Sequence, residues 1–346
     1  MRNPLKRSLH RFVPAHFQDP FGLAKRLLAT GDPAARFAMW SAALAALATP
    51  IDLALAPFER RRYRSATAPE RPITLVCGPP RSGTTLLTQA LIGNLPVAFI
   101  NNLTAIFSRA PLTANRWLSR IPQDRPKSYR SFYGRSTGLA GPNDGLHLWD
   151  RWLGSDRTVA PGAIPGEAAE AMRRFFGAFE ALYDAPLVAK NNSLNASAAL
   201  VGEALPTARF ICLHRDPVLL AQSLLLARRE IHGGDEAPYG LSDGSESADP
   251  IESVCRQVRY HHDLARRQLE ALGPERFWLV SYEEFCRDPD GVVDRVAREI
   301  LGLGDRAPWR DPALAPFQVS ARRRLPPDDF ARLETALGPL RRQPVP

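Results

Sequence analysis

Ile73-Thr-Leu-Val-Cys-Gly-Pro-Pro-Arg-Ser-Gly-Thr-Thr85 decides the fold. Its first five residues are mostly apolar and rich in β-branched types, and Pro72 and Gly78 bound them. That pattern predicts a strand buried on both faces. From Thr84 to Ile92 the pattern turns helical. A strand, a Gly-bounded loop and a helix form the setting in which backbone N–H groups and a helix N-terminus cradle an anion. Gly78, Gly83 and Thr85 fit the spacing of a phosphate loop, G-x-x-x-x-G-K-[ST]. Thr84 stands where that pattern has lysine, and the positive charge has moved into the loop at Arg81. This argues against chemistry at the β- and γ-phosphates of a nucleoside triphosphate.

Three further runs read as buried strands: Pro186-Leu-Val-Ala-Lys190, Arg209-Phe-Ile-Cys-Leu213 and Arg276-Phe-Trp-Leu-Val-Ser281. Helical patterns lie between them, at Pro217 to Glu230 and at Ser253 to Gly273. The alternation implies an α/β fold of three layers, a phosphate-loop fold whose central parallel sheet is flanked by helices. Residues 231–250 are rich in Gly, Asp, Ser and Glu and read as a long surface loop of the kind that serves as a lid. A chain of 346 residues suffices for one large domain of this type. Here that domain is assigned to residues 71–346. Residues 1–70 form a basic helical lead-in, closed by the turn Pro69-Glu-Arg-Pro72.

Two motifs follow the later strands. His214-Arg-Asp-Pro217 comes directly after one, with Ser223 eight residues beyond Arg215. An Arg at a strand end and a Ser on the next helix can grip one phosphate together. Ser281-Tyr-Glu-Glu284 follows the last strand. With these in view, Pro80-Arg-Ser-Gly-Thr-Thr-Leu86 resembles the 5′-phosphosulfate loop of sulfotransferases, which use 3′-phosphoadenosine 5′-phosphosulfate (PAPS) as donor. The Arg81 form is similar to the protein-tyrosine and bacterial branches; the cytosolic branch usually has Lys there. The resemblance covers roughly residues 71–305. It implies that Pro80, Arg81, Ser82, Gly83, Thr84 and Thr85 hold the 5′ end of the nucleotide. It also implies that Arg215 and Ser223 hold the 3′-phosphate and that Tyr282 lies near the adenine.

Sulfuryl transfer is an in-line displacement, so cations are wanted where charge builds on the leaving oxygen. Arg81 is one such cation. Lys190, a lone Lys ending an apolar strand, is the other. The Lys190-Asn191-Asn192 corner resembles the lysine corner of the tyrosine branch, which has Asp-Pro in place of the two Asn. A general base is sought in Gly138 to Asp150. Asp144 follows a Gly-Pro-Asn turn and is similar to an acidic residue of related bacterial sequences. His147, three residues on, would share a helix face with it. Asn101, Asn102, Phe107, Trp149 and Trp152 are candidates to line the acceptor pocket, and Arg322-Arg-Arg324 to close over the 3′-phosphate.

The formal net charge is +9, carried largely by Arg, which favours anionic partners. Two other function classes share that charge. A phosphate-loop kinase or NTPase is opposed by the missing loop lysine. A nucleic-acid-binding protein is opposed by the spread of the charge and the lack of a basic–aromatic motif. The four cysteines, Cys77, Cys212, Cys255 and Cys286, have neither C-x-x-C nor metal-ligand spacing. They read as reduced and structural, with no metal, in a cytoplasmic protein. Met1 to Arg7 does not open a secretory signal. The apolar stretch from Ala34 to Pro57 is interrupted by Arg36, Pro50 and Asp52, against a clean membrane span. It reads as two helices split at Pro50. They pack on the domain, or make a peripheral membrane contact through residues 34–64, with Arg60, Arg61, Arg62 and Arg64 near headgroups. Sugar, phenol, lipid and peptide acceptors are all compatible with the sequence, as is any oligomeric state.

Overall fold

A computed structural model describes residues 25, 31–118, 129, 131, 134, 136–245, 247–303 and 314–342. Most of the first thirty residues of the lead-in lie outside them. Its remainder forms helices α1 (Pro33–Leu47) and α2 (Thr49–Ser65). The chain continues through β1 (Ile73–Cys77), α3 (Thr84–Asn94), β2 (Ala98–Phe99), α4 (Asn102–Ile106), α5 (Pro111–Trp117), α6 (Leu146–Leu153) and α7 (Gly166–Tyr183). Then come β3 (Leu187–Lys190), α8 (Leu194–Ala204), β4 (Ala208–His214), α9 (Pro217–Ala227), α10 (Pro250–Leu272) and β5 (Phe277–Ser281). Helices α11 (Tyr282–Arg287), α12 (Pro289–Arg295) and α13 (Pro327–Arg342) complete the order.

The five strands are parallel, in the order β2-β3-β1-β4-β5. β1 is central and buried along its whole length. Its side chains alternate between two cores, as a parallel strand covered on both faces requires. Leu75 and Cys77 face the core built with Phe175, Phe176 and Phe179 of α7 and with α8. Val76 faces the core of Leu87 and Leu91 from α3 and Phe285 from α11. Truncating one of these buried phenylalanines to Ala would cost ~3–5 kcal/mol.

Several expectations change in detail. The strand β2 was not visible in the sequence, because two residues at a sheet edge carry no periodicity. The break between the first two helices falls at Ala48, where α1 ends and α2 is capped, and Pro50 stands inside the first turn of α2. Proline is tolerated there because that N–H has no helical partner. Trp149 and Trp152 belong to the core: both are buried and stack on each other and on Phe176. Phe107 packs under the α1–α2 pair, and Asn101 caps α4 by accepting from the Thr104 amide. None of these four lines an open pocket.

Register brings the chemistry to one edge. Val76 pairs with Lys190, Cys77 with Cys212 and His214 with Ser281. The carboxyl ends of β1, β3, β4 and β5 therefore meet at the same level, with the loop after β1 between its neighbours. In open α/β sheets this crevice, where strand order reverses, is where ligands bind.

Candidate functional site

The loop after β1 is shaped by close approach. Gly78 (φ 138°) and Gly83 (φ 99°) are both in backbone regions that favour glycine. A Cβ at Gly78 would run into the Leu213 carbonyl, and one at Gly83 would strike the Tyr282 ring. Gly83 is the N-cap of α3 and supplies no side-chain cap, so the first amides of that helix are left to a ligand. Arg81, at φ 73°, is a non-glycine residue in the left-handed region. Such a conformation persists only where its surroundings enforce it.

Those surroundings are the second motif. Arg81 Nε donates to Ser223 Oγ at 3.2 Å, and Arg215 Nη1 donates to the Arg81 carbonyl at 3.0 Å. Arg215 and Ser223 thus converge on the loop through Arg81 between them. The Arg215 guanidinium lies 4.8 Å from the Tyr282 ring centroid, a cation–π distance, and donates from Nη2 to the Ser320 carbonyl at 2.5 Å. Burial lowers the Arg215 pKa from its ordinary value, and Tyr282 and Glu283 oppose the shift. Burial also raises the Tyr282 phenol, and a hydrogen bond with Cys286 adds to it. Two polar atoms here are buried without a protein partner: Ser82 Oγ in the loop and Arg215 Nε. An orphaned donor in such a place signals a missing ligand atom.

The third cluster sits at the end of β3. Lys190, buried along its stem, places Nζ 2.8 Å from Asp144 Oδ2 and 3.2 Å from Thr85 Oγ1. Gly134 lies directly above: a Cβ there would be 3.3 Å from Lys190 Nζ and 3.7 Å from Asp144 Oδ2. Thr84, at the lysine position of the loop pattern, donates from Oγ1 to Asn192 Oδ1 at 3.1 Å. Phosphate loop and β3 corner are therefore bonded twice. Asp144 lies outside the following helix, which is capped by the left-handed Gly145 and starts at Leu146. Asp144 and His147 consequently do not share a helix face. His147 is half-buried on α6, and it is the carboxylate that meets Lys190.

Asn102 holds this region together. Its amide donates to the carbonyls of Ser136 and Gly138, and it accepts from Asn143 beside Asp144. It is a brace for the Asp144 segment. The Arg322–Arg324 cluster acts through its backbone: Gln222 donates to the Arg322 carbonyl and accepts from the Arg324 amide. Its side chains are exposed, and Arg323 pairs with Glu334 at 2.9 Å. The carbonyl of Ser320, two residues earlier, is what reaches the site. Ser320 and Gly134 were missed in the sequence because both lie in aperiodic polar segments, where only the fold decides what they touch. The loop of residues 231–250 approaches the phosphate loop at one point: a Cβ at Gly240 would be 2.7 Å from Pro80. Beside the loop, at the end of β4, a cavity of about 290 Å³ is lined by Pro79, His214, Asp216, His262, Glu283 and Arg341. Burial lowers the His214 pKa from its ordinary value.

The arrangement brings two arginines and the uncapped start of α3 together, which suits an anionic ligand, and sets an ammonium beside a carboxylate at the neighbouring β3 corner. The comparisons agree with that chemistry. The family model described as the sulfotransferase family matches residues 72–304. No curated protein matches the sequence significantly. Among solved structures, sulfotransferase STF9 from Mycobacterium avium is similar at 18% identity, over 96% of this chain and 86% of that one, with a TM-score of 0.51. Sulfotransferase STF1 from Mycobacterium tuberculosis H37Rv is similar at 15% identity, over 88% and 90% of the two chains, with a TM-score of 0.49. At such identity the first likeness speaks to the fold, and the family match speaks to the activity: the chain belongs to the sulfotransferase family.

Proposed function

We propose that this protein transfers a sulfuryl group from PAPS to a hydroxyl or amine acceptor by in-line displacement. The observation that carries the reading is the clamp of Arg81. One residue, held in a left-handed conformation, is tied to both Ser223 and Arg215, so the loop for the 5′ end and the strand end for the 3′-phosphate form one unit. The residues present fit such a donor. Gly78 and Gly83 let the loop pack closely on Leu213 and Tyr282, and Ser82 Oγ and Arg215 Nε lack protein partners. Ser82, Gly83, Thr84 and Thr85 would hold the 5′ end through the uncapped start of α3. Arg215, Ser223 and Tyr282 would hold the 3′-phosphate and the nearby base. The donor supplies an activated sulfuryl group on a phosphate leaving group.

The protein's own residues do the rest. Lys190 and Arg81 place positive charge at the loop, where negative charge accumulates on the leaving oxygen. Thr85 and Asp144 hold the Lys190 ammonium in place. Asp144 is the base that takes the acceptor proton, because it is the carboxylate beside that ammonium. Asn192, bonded to Thr84, orients the β3 corner.

The test is a melting experiment. 3′-Phosphoadenosine 5′-phosphate should raise the melting temperature by several degrees at saturating concentration, and ATP with magnesium by much less. Equal stabilisation by the two would sink the reading. Labelled-sulfate transfer from PAPS into a cell extract would then identify the acceptor by the mass of its product.

A further inference from the structure

Helix α2 is amphipathic in the inverted sense. Its inward face carries two carboxylates: Asp52 is 0% exposed and Glu59 1%. Both point into the protein. Asp52 accepts from the amides of Arg109 and Ala110, and Glu59 from the amides of Leu112 and Thr113. The outward face is apolar. Ile51 and Phe58 are each 56% exposed, and Phe58 packs on the exposed Trp117 with ring centroids 5.8 Å apart. Helix α1 continues the stripe through Trp40 and Leu47, at the spacing of one helix face. Of the eight large hydrophobic side chains that are exposed among the described residues, seven lie at this corner. A cluster of that kind marks an interaction surface; scattered single ones would not.

Charge selects the partner. Residues 31–65 contain five arginines and three carboxylates. All three carboxylates are turned onto backbone amides, Asp32 as the cap of α1 and the other two inward. What faces outward is therefore apolar surface flanked by Arg36 at one end and by Arg60, Arg61 and Arg64 at the other, all exposed. Apolar side chains bordered by arginine, with no outward acid, match the boundary between acyl chains and anionic headgroups. No single helix among the described residues is long and apolar enough to cross a bilayer, and the α1–α2 pair is bent by 70°. The pair together has the length and composition of a broken span, but both acids of α2 are bonded to backbone amides of the protein, which favours a pair lying along a surface over one crossing a bilayer.

We propose that the bent α1–α2 pair docks this protein on the surface of an anionic phospholipid bilayer. The pair rests on α4, whose Asn102 braces the segment that carries Asp144. Docking would therefore bring the lipid surface to the side of the molecule that holds Asp144. No residue of the phosphate site takes part, so the proposal stands apart from the identity of the donor.

The test is flotation of the full chain with vesicles of phosphatidylcholine alone and of phosphatidylcholine mixed with phosphatidylglycerol. Binding to the mixed vesicles, and much less to the neutral ones, is expected. Ile51→Glu with Phe58→Glu should lower partition at least about tenfold by removing apolar burial. Each of Arg60→Gln, Arg61→Gln and Arg64→Gln should lower it about fivefold on anionic vesicles only. A second readout leaves the fold untouched: brominated lipid should quench tryptophan fluorescence of the wild-type chain, and Trp40→Phe with Trp117→Phe should remove most of that quenching. Absence of binding to anionic vesicles, or binding indifferent to the Ile51 and Phe58 changes, overturns the proposal. So does a homodimer in solution that the double variant dissolves while vesicle binding persists; the patch would then belong to a second copy.

Discussion

The α1–α2 pair and the phosphate site meet their carboxylates with different partners. Under α2, Glu59 accepts from the Leu112 and Thr113 amides and from the Thr113 hydroxyl, and Asp52 from two amides. Asp52 caps the turn that leads into α5 and Glu59 the first turn of α5 itself, and their work is structural. At the phosphate site, Arg81 and Arg215 converge on the loop, and Asp144 is the carboxylate that meets Lys190. Ser82 Oγ and Arg215 Nε there go without a protein partner. Burying polar atoms unpaired costs free energy, and at the anion-binding loop a bound ligand would offset it; Arg62 Nε on α2 and Thr74 Oγ1 on β1 are buried unpaired as well.

Substitutions should separate the two regions. Glu59→Ala leaves three buried donors unmet and should lower unfolding free energy by about 4 kcal/mol in urea titration. A loss under about 1 kcal/mol would erase the distinction. Lys190→Met keeps the apolar stem and removes the charge. Turnover should fall about 10²- to 10³-fold, some 3–4 kcal/mol in barrier, while 3′-phosphoadenosine 5′-phosphate still binds. Loss of binding with unchanged turnover would make Lys190 a docking residue.

A buried histidine of the core adds a pH signature. His261, whose Nδ1 meets Asn195, is buried enough to lower its pKa from 6.5 to about 4. As pH falls, the unfolded chain takes up this proton first. Its share of stability is full above 6.5 and is lost on the way down to about 4. That amounts to about 3 kcal/mol, and His261→Gln should flatten this part of the stability curve. Arg215→Ala should weaken nucleotide binding by about 2 kcal/mol, roughly 30-fold in Kd, and should also lower stability by about 1 kcal/mol, because Arg215 donates to the Arg81 and Ser320 carbonyls. Last, Glu299→Ala breaks an ion pair with Arg295 that is half exposed on both sides. It should change stability by less than about 0.5 kcal/mol, which sets the floor for the comparison.

Much of the frame was legible because its signals are local. β1, β3, β4 and β5 announce themselves as short apolar runs bounded by Pro or Gly. The loop's two glycines report a backbone that no Cβ could follow, and Arg215 is placed by the strand just before it. β2 had no such signal. The Asp144 segment misled for a physical reason: an acid three residues before a His suggests one helix face, yet Gly145 turns left-handed between them and starts the helix later. Trp149 and Trp152 misled because an aromatic residue near a polar loop reads the same whether it faces a pocket or a core.

The sequence by itself determined the parallel sheet, the anion-binding loop and the family, since each rests on periodicity or on motifs within about ten residues. Only the tertiary structure decided what those pieces meet. It set Ser223 on Arg81, Ser320 on Arg215 and Asp144 on Lys190, contacts between residues 46 to 142 positions apart. It also turned α2 so that Asp52 and Glu59 face inward. Local pattern would send acids to water; here backbone amides of a distant turn and helix satisfy them, so the apolar side is the one left outside.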